Sequence, residues 1–250
     1  MTEIVLVLFL AAFVAWVVST VAGGGGGTLM IPIIAWVANP KAVAPAITLG
    51  TLLSSPVRVW LFWRHIDWRI VRWYLPGAIA GAVLGGYVFA NIPPQWVKVL
   101  AGIFLLSTLL QYRFGENRRS FPMRAWVFLP LGFVVAAISG MIGEAGPVLN
   151  PFFLNYGTEK EAMIGTKAVN SFFMQLTKLT SYAAFGAMTR EFWIYGIAIG
   201  VAATLASWVG KRLLGRMEGK RFRQAVIAVM LITGALMLWQ ERGAIVDAMR

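Results

Sequence analysis

The sequence predicts an all-α polytopic membrane protein made of two homologous halves, and three observations support that prediction. Of the 250 residues 59% are hydrophobic and only 13% are charged, about half the charge of a soluble domain. The apolar residues gather in runs long enough to cross or enter a bilayer. Five consecutive glycines, Gly23 to Gly27, interrupt the first run, and a looser version, Gly140–Met141–Ile142–Gly143–Glu144–Ala145–Gly146, recurs later. Adding 119 to Gly24, Gly27 and Pro32 gives Gly143, Gly146 and Pro151; the same step takes Lys41, Gly77 and Gly81 to Lys160, Gly196 and Gly200. The chain thus divides into a first membrane repeat at 1–113, a basic linker at 114–123 and a second repeat at 124–250.

Each half reads as five apolar segments: 4–22, 28–38, 42–63, 70–91 and 95–112, then 124–142, 147–155, 162–185, 190–210 and 223–240. The first segment resembles a signal peptide in its apolarity but lacks a basic start, and further spans follow, so it is read as part of the mature chain. The second segment of each half has only about 9–11 residues, which as a helix reaches about halfway through a ~30 Å core. Five glycines in a row do not hold a stable helix, and irregular backbone at membrane depth survives only where protein or a wet cavity satisfies its polar groups. Segments one and two are therefore expected to form a broken or re-entrant hairpin with the glycines at its tip. The third segments carry polar stripes, described below. In the fourth, Gly77, Gly81 and Gly85 make a small-residue face that packs within the monomer or across a homodimer. The fifth closes each half.

Loop charges set the orientation. Arg64, Arg69 and Arg72 follow the third segment, Arg113, Arg118, Arg119 and Arg124 lie between the halves, and Lys211, Arg212, Arg216, Lys220, Arg221 and Arg223 lie near the end. With both termini outside, all three clusters fall inside, leaving Lys41, Lys98, Arg190, Arg242 and Arg250 outside. Five elements per half make the halves inverted repeats. Hydropathy alone favours eight plain helices and two parallel repeats, a count that strands the last basic cluster outside. Trp60, Trp63, Trp68, Trp73, Trp126, Trp193 and Trp239 fall near segment ends, as an interfacial belt requires.

Several function classes are excluded. The net charge of +12 sits in short loops beside spans rather than on a soluble aromatic and basic module, so no nucleic-acid partner is expected. There is no cysteine and one histidine, His65, so neither a zinc or di-metal site nor another cofactor is expected. The chain lacks a nucleotide-binding motif and the paired carboxylates or nucleophile of an intramembrane enzyme.

Four ionisable residues fall inside the expected spans: Arg58, Glu144, Lys167 and Lys178. Such residues are costly and functional by default. Thr48, Thr51, Ser55 and Arg58 share one helix face, and Lys167, Ser171, Met174 and Lys178, with Asn170 beside them, share another. The repeat step pairs Thr48 with Lys167 and Thr51 with Asn170. Hydroxyl groups taken singly serve as helix glue, but Lys167 needs a partner or a wet cavity. Arg58 and Lys178 lie nearer segment ends, where long stems let the charge snorkel to the interface. Glu144 stands where the first repeat has Gly25; it pairs with Lys167, or it loads and releases a proton and couples transport to a gradient. Successive glycine N–H groups, and the helices restarting at Thr28 and Pro147, suit an anion.

With these residues in view, the chain resembles the sulfite exporter TauE/SafE-type transporters, also called the toluenesulfonate uptake permease class. The resemblance spans nearly the whole chain and rests on the two glycine-rich tips followed by Pro32 and Pro151, on the stretch Ile164–Gly165–Thr166–Lys167–Ala168–Val169–Asn170–Ser171, and on size. It implies a secondary transporter in a bacterial cytoplasmic membrane carrying a small sulfur-containing anion such as sulfite or sulfoacetate, driven by protons or another ion. The resemblance implies a substrate surround of Gly24, Gly25, Gly26, Gly27 and Thr28 of the first tip, Gly143, Glu144 and Gly146 of the second, and Thr166, Lys167 and Asn170; the polar stripes add Thr48, Thr51 and Ser171, and the charge of Glu144 makes it the coupling candidate. Glu144 and Ala145 depart from the glycine-rich pattern. A passive anion channel and a carrier of a non-sulfur organic anion are the alternatives.

Overall fold

The computed structural model describes residues 2–22, 25–114, 123–158, 160–213 and 238–239. Gly24, linker residues 115–122 and the last expected segment, 223–240, apart from its residues 238–239, lie outside the described residues. Among the described residues every regular element is helical: α1 (Thr2–Ala22), α2 (Gly26–Val37), α3 (Pro40–Phe62), α4 (Trp68–Asn91), α5 (Pro94–Phe114), α6 (Phe128–Ile142), α7 (Asn150–Tyr156), α8 (Lys160–Ala184) and α9 (Arg190–Leu213). Short 3-10 turns at Trp63–His65, Ala125–Val127 and Gly146–Leu149 precede or follow them.

Local chemistry sets the boundaries. Asn39 caps α3 by accepting the Lys41 N–H at 2.8 Å, with Pro40 in the first turn. Asp67 caps α4 by accepting from the N–H groups of Arg69 and Ile70. These are the side chains that satisfy orphan N–H groups best. Gly25 (φ 100°) precedes α2 and Gly143 (φ 99°) closes α6, backbone that glycine alone adopts at no steric cost.

Five described helices, or helices with their flanking turns, are long and apolar enough to cross a membrane: Thr2–Thr20, Pro40–His65, Trp68–Asn91, Ala125–Ile142 and Arg190–Gly210. With this composition the chain is a multi-pass membrane protein. The 25-residue α8 falls short on hydropathy because of its polar stripe. α2 has only 12 residues, or ~18 Å of helix. On α1, Leu8, Ala12 and Trp16 are buried while Leu6, Leu10 and Val14 are exposed, so one apolar face packs and the other meets lipid. The seven tryptophans assigned to the interfacial belt are all exposed.

The core helices pack in two directional sets. Gly77, Gly81 and Gly85 of α4 lie against the backbone of Leu129, Phe133 and Ala137 of α6, so these helices run parallel and this small-residue face is consumed within the chain. Tyr74 meets Met174 and Gly86 meets Ser181, so α8 runs the same way. Gly196 and Gly200 of α9 meet Leu49 and Leu53 of α3, and Gly210 meets Thr20 of α1, giving a second parallel set. The sets oppose each other. Phe62, ending α3, touches Gly165 near the start of α8, whereas Ala44 near the start of α3 shares a cluster with Tyr182 near the end of α8. Element bounds also recur at the repeat step: adding 119 to the bounds of α2, α3 and α4 gives 145–156, 159–181 and 187–210, beside the Gly146 turn with α7, α8 and α9.

Candidate functional site

The two glycine-rich breaks meet inside the fold. A Cβ placed on Gly27 would lie 2.9 Å from Cβ and Cγ of Glu144 and 2.7 Å from Ile47, so only glycine lets the tips approach this closely. Beside this contact lies a cavity of about 70 Å³, several times the ~10–15 Å³ that one water needs. The first tip lines it with Gly25, Gly26 and Gly27, the second with Glu144 and Gly146. α3 supplies Thr51, Ser55 and Arg58, one helix face, and α8 supplies Lys167, Asn170, Ser171 and Met174, another. Trp16, Ser19 and Thr20 of α1, Tyr74 of α4 and Ser207 of α9 add to the polar side; Leu61, Phe62, Leu149 and Ile164 give an apolar wall.

The polar groups are unequally satisfied. Lys167 Nζ donates to Asn150 Oδ1 at 2.6 Å. Glu144 Oε1 accepts the Gly146 N–H at 2.7 Å, so the second tip is closed by its own carboxylate. The first tip has no such group. Gly25 is the N-cap of α2 and offers no side chain, and the first turn of a helix leaves N–H groups without intrahelical partners. Arg58 Nε and Nη2 are buried with no hydrogen-bond partner, as are the Thr51 hydroxyl and both polar atoms of the Asn170 amide. Buried donors in a folded protein are normally paired. A guanidinium with free N–H groups is built to take an oxyanion in a two-point contact.

Of the residues expected at the site, Gly25, Gly26, Gly27, Thr51, Glu144, Gly146, Lys167, Asn170 and Ser171 line the cavity. Thr28, Thr48, Gly143 and Thr166 do not. Thr28 and Thr48 are fully buried elsewhere. Thr166 accepts the Asp67 N–H at 2.9 Å and so ties the α3–α4 loop to α8. Gly143 offers its carbonyl to Lys178 Nζ at 2.7 Å, and the same ammonium donates to Ser139 Oγ at 3.0 Å.

The snorkelling expected of Arg58 and Lys178 is corrected. Lys178 is 0% exposed and secures the end of α6, helped by Tyr182, whose hydroxyl donates to Gly140 O at 2.5 Å. Arg58 lines the cavity, with its Nε and Nη2 buried rather than at the membrane face. The tips fold back into the protein at the level of these segment ends, so the ends are interior. Arg58 was legible as the fourth member of the Thr48–Thr51–Ser55 stripe; Asn150 lies outside any periodic pattern and left no signal.

Among the described residues no group of three His, Cys, Asp or Glu is placed to hold a metal. The family model described as "Sulfite exporter TauE/SafE" matches residues 8–237. Among curated proteins, a probable membrane transporter protein of Sinorhizobium sp, ORF9, is 26% identical over 92% of this chain and 90% of its own length. The probable membrane transporter protein YfcA of Escherichia coli K12 is 24% identical over 95% and 90%, and YunE of Bacillus subtilis 19% over 94% and 97%. No solved structure gives a significant match.

Proposed function

The chain belongs to the sulfite exporter TauE/SafE family of membrane transporters, and on that premise we propose that it is a secondary transporter of a small sulfur-containing anion. The observation that supports this most is the charge and pairing of the cavity. Arg58 and Lys167 share the cavity wall with one acid, Glu144, and two guanidinium nitrogens of Arg58, Nε and Nη2, are buried without a hydrogen-bond partner among the described residues. A cation left so in a low-dielectric site is costly unless an anion completes it. A sulfonate or sulfite has several oxygens to share between the Arg58 fork, Lys167, the Thr51 and Asn170 groups and the glycine amides of the first tip.

The opposite running directions of α3 and α8, with the recurring element bounds, support inverted repeats. Such an arrangement, with its site at the repeat interface between broken helices, suits alternating access by rocking of one part against the other. With Lys41 and the Arg64 cluster at opposite ends of α3, the positive-inside rule supports an orientation with the N-terminus outside the cytoplasmic membrane of a bacterium, and the segment expected at 223–240 would bring the C-terminus to the same side. Glu144 is the one acid in the cavity wall and is proposed as the coupling group. Uptake of labelled sulfite and organosulfonates into proteoliposomes tests the reading. Saturable, trans-stimulated uptake supports a carrier; flux that rises linearly with concentration and shows no trans-stimulation supports a channel and contradicts it.

A further inference from the structure

The repeat step takes Gly25 to Glu144 (25 + 119 = 144). One tip thus offers bare backbone, and the other holds a carboxylate at the same register. Glu144 is nearly buried, at 8% exposure, and is held in place twice. Its Oε1 takes the Gly146 N–H, and its stem packs on Gly27 of the opposite tip. It shares the cavity wall with Arg58 and Lys167. Lys178 stands behind that wall, fully buried, with its ammonium turned to Gly143 O and Ser139 Oγ at the end of α6, where it meets the negative end of the helix dipole. With Glu144 ionised, the wall itself therefore presents two cations and one anion.

We propose that Glu144 is a charge filter, making the site selective for singly charged anions over doubly charged ones of the same size. This rests on the reading of the cavity as an anion site. One negative charge neutralises the wall. A second would face the Glu144 carboxylate in a poorly screened site with no further cation in the cavity wall to meet it. The rest of the wall agrees, because Leu61, Phe62, Leu149 and Ile164 offer no partner to a second charged group and suit an apolar body. The preferred class is an organic monosulfonate, with one anionic head and an uncharged remainder. Sulfate and compounds with a sulfonate at one end and a carboxylate at the other are rejected.

Methanesulfonate and sulfate test this, being close in size and differing by one charge. Calorimetric binding to the purified full chain, wild type against Glu144→Gln and Glu144→Asp, gives the affinity ratio. The proposal expects wild type to prefer methanesulfonate by at least about tenfold. Glu144→Gln should shrink or reverse that preference by strengthening sulfate binding, and Glu144→Asp should keep it. Because sulfate is also harder to dehydrate, the change of the ratio on Glu144→Gln is the decisive quantity. An unchanged ratio, or a wild type that prefers sulfate, overturns the filter while leaving the anion site standing. Binding of neither anion by wild type overturns the anion-site reading and the filter together.

Discussion

Gly27 and Glu144 come from opposite halves of the chain and touch where the two glycine-rich breaks meet; a side-chain carbon on Gly27 would sit 2.9 Å from the Glu144 stem. The cavity beside them exists because α2 and the second tip close to this distance. Gly27→Ala pushes the added methyl into Glu144 and Ile47. Overpacking of this kind costs about 1–3 kcal/mol. The expected outcome is a lowered unfolding temperature in detergent together with weakened anion binding, read by thermal unfolding with and without ligand. A variant as stable as wild type shows that the tips have room to part.

Arg58 carries the opposite expectation for stability. Its Nε and Nη2 have no hydrogen-bond partner among the described residues, so replacing it with Met removes a costly buried charge without orphaning a partner of either atom. Buried charges replaced by apolar side chains of similar volume are often neutral or stabilising. Arg58→Met is therefore expected to match or exceed wild type in unfolding temperature while losing the ~1.5–3 kcal/mol of a charge-assisted hydrogen bond to substrate, about 10–150-fold in affinity. Calorimetric binding beside thermal unfolding checks both halves.

Lys178 separates from Arg58 on the same two measurements. Its ammonium satisfies Gly143 O and Ser139 Oγ in a fully buried place. Lys178→Met keeps the volume but removes the bonds to Gly143 O and Ser139 Oγ, leaving that carbonyl only the longer 3.3 Å contact from the Ser139 hydroxyl, at about 1–3 kcal/mol. The expected result is loss of stability, with anion affinity in the surviving folded protein changed far less than in Arg58→Met.

Much of this arrangement was legible in the sequence, through particular residues. The step from Gly27 to Gly146 and from Lys41 to Lys160 located both tips and the short helices after them. The spacing of Lys167, Ser171 and Met174 put the right face of α8 toward the cavity. Depth was harder to read. Arg58 and Lys178 lie near segment ends, and distance from an end equals distance from the membrane face only when nothing folds back beside it. Here the tips do, so both cations are interior. Thr166 was grouped with Lys167 by sequence adjacency, yet neighbours on a helix point about 100° apart, and it bonds to the α3–α4 loop instead. The Lys167–Asn150 bond joins two segments by geometry that no spacing encodes.

That bond gives a further expectation. Asn150 Oδ1 accepts from Lys167 Nζ at 2.6 Å and does not itself line the cavity. Asn150→Ala removes this one bond from the ammonium, with an expected affinity loss of about three- to tenfold, the equivalent of one net hydrogen bond. Asn150→Asp keeps an acceptor but adds a negative charge beside Lys167, and is expected to weaken anion binding more than Asn150→Ala does. Equal affinity in both variants and wild type removes Asn150 from the account.

The central claim is that the cavity between the tips is where a small sulfur-containing anion is carried across the membrane, with Arg58 as its main charged contact. Counterflow in proteoliposomes measures this most directly: vesicles loaded with unlabelled organosulfonate take up a trace of the labelled compound through wild type or Arg58→Met. The account predicts saturable, trans-stimulated accumulation by wild type and its loss in the variant, with the variant still folded. Accumulation that survives Arg58→Met, or no accumulation of any sulfur-containing anion by folded wild type, contradicts it.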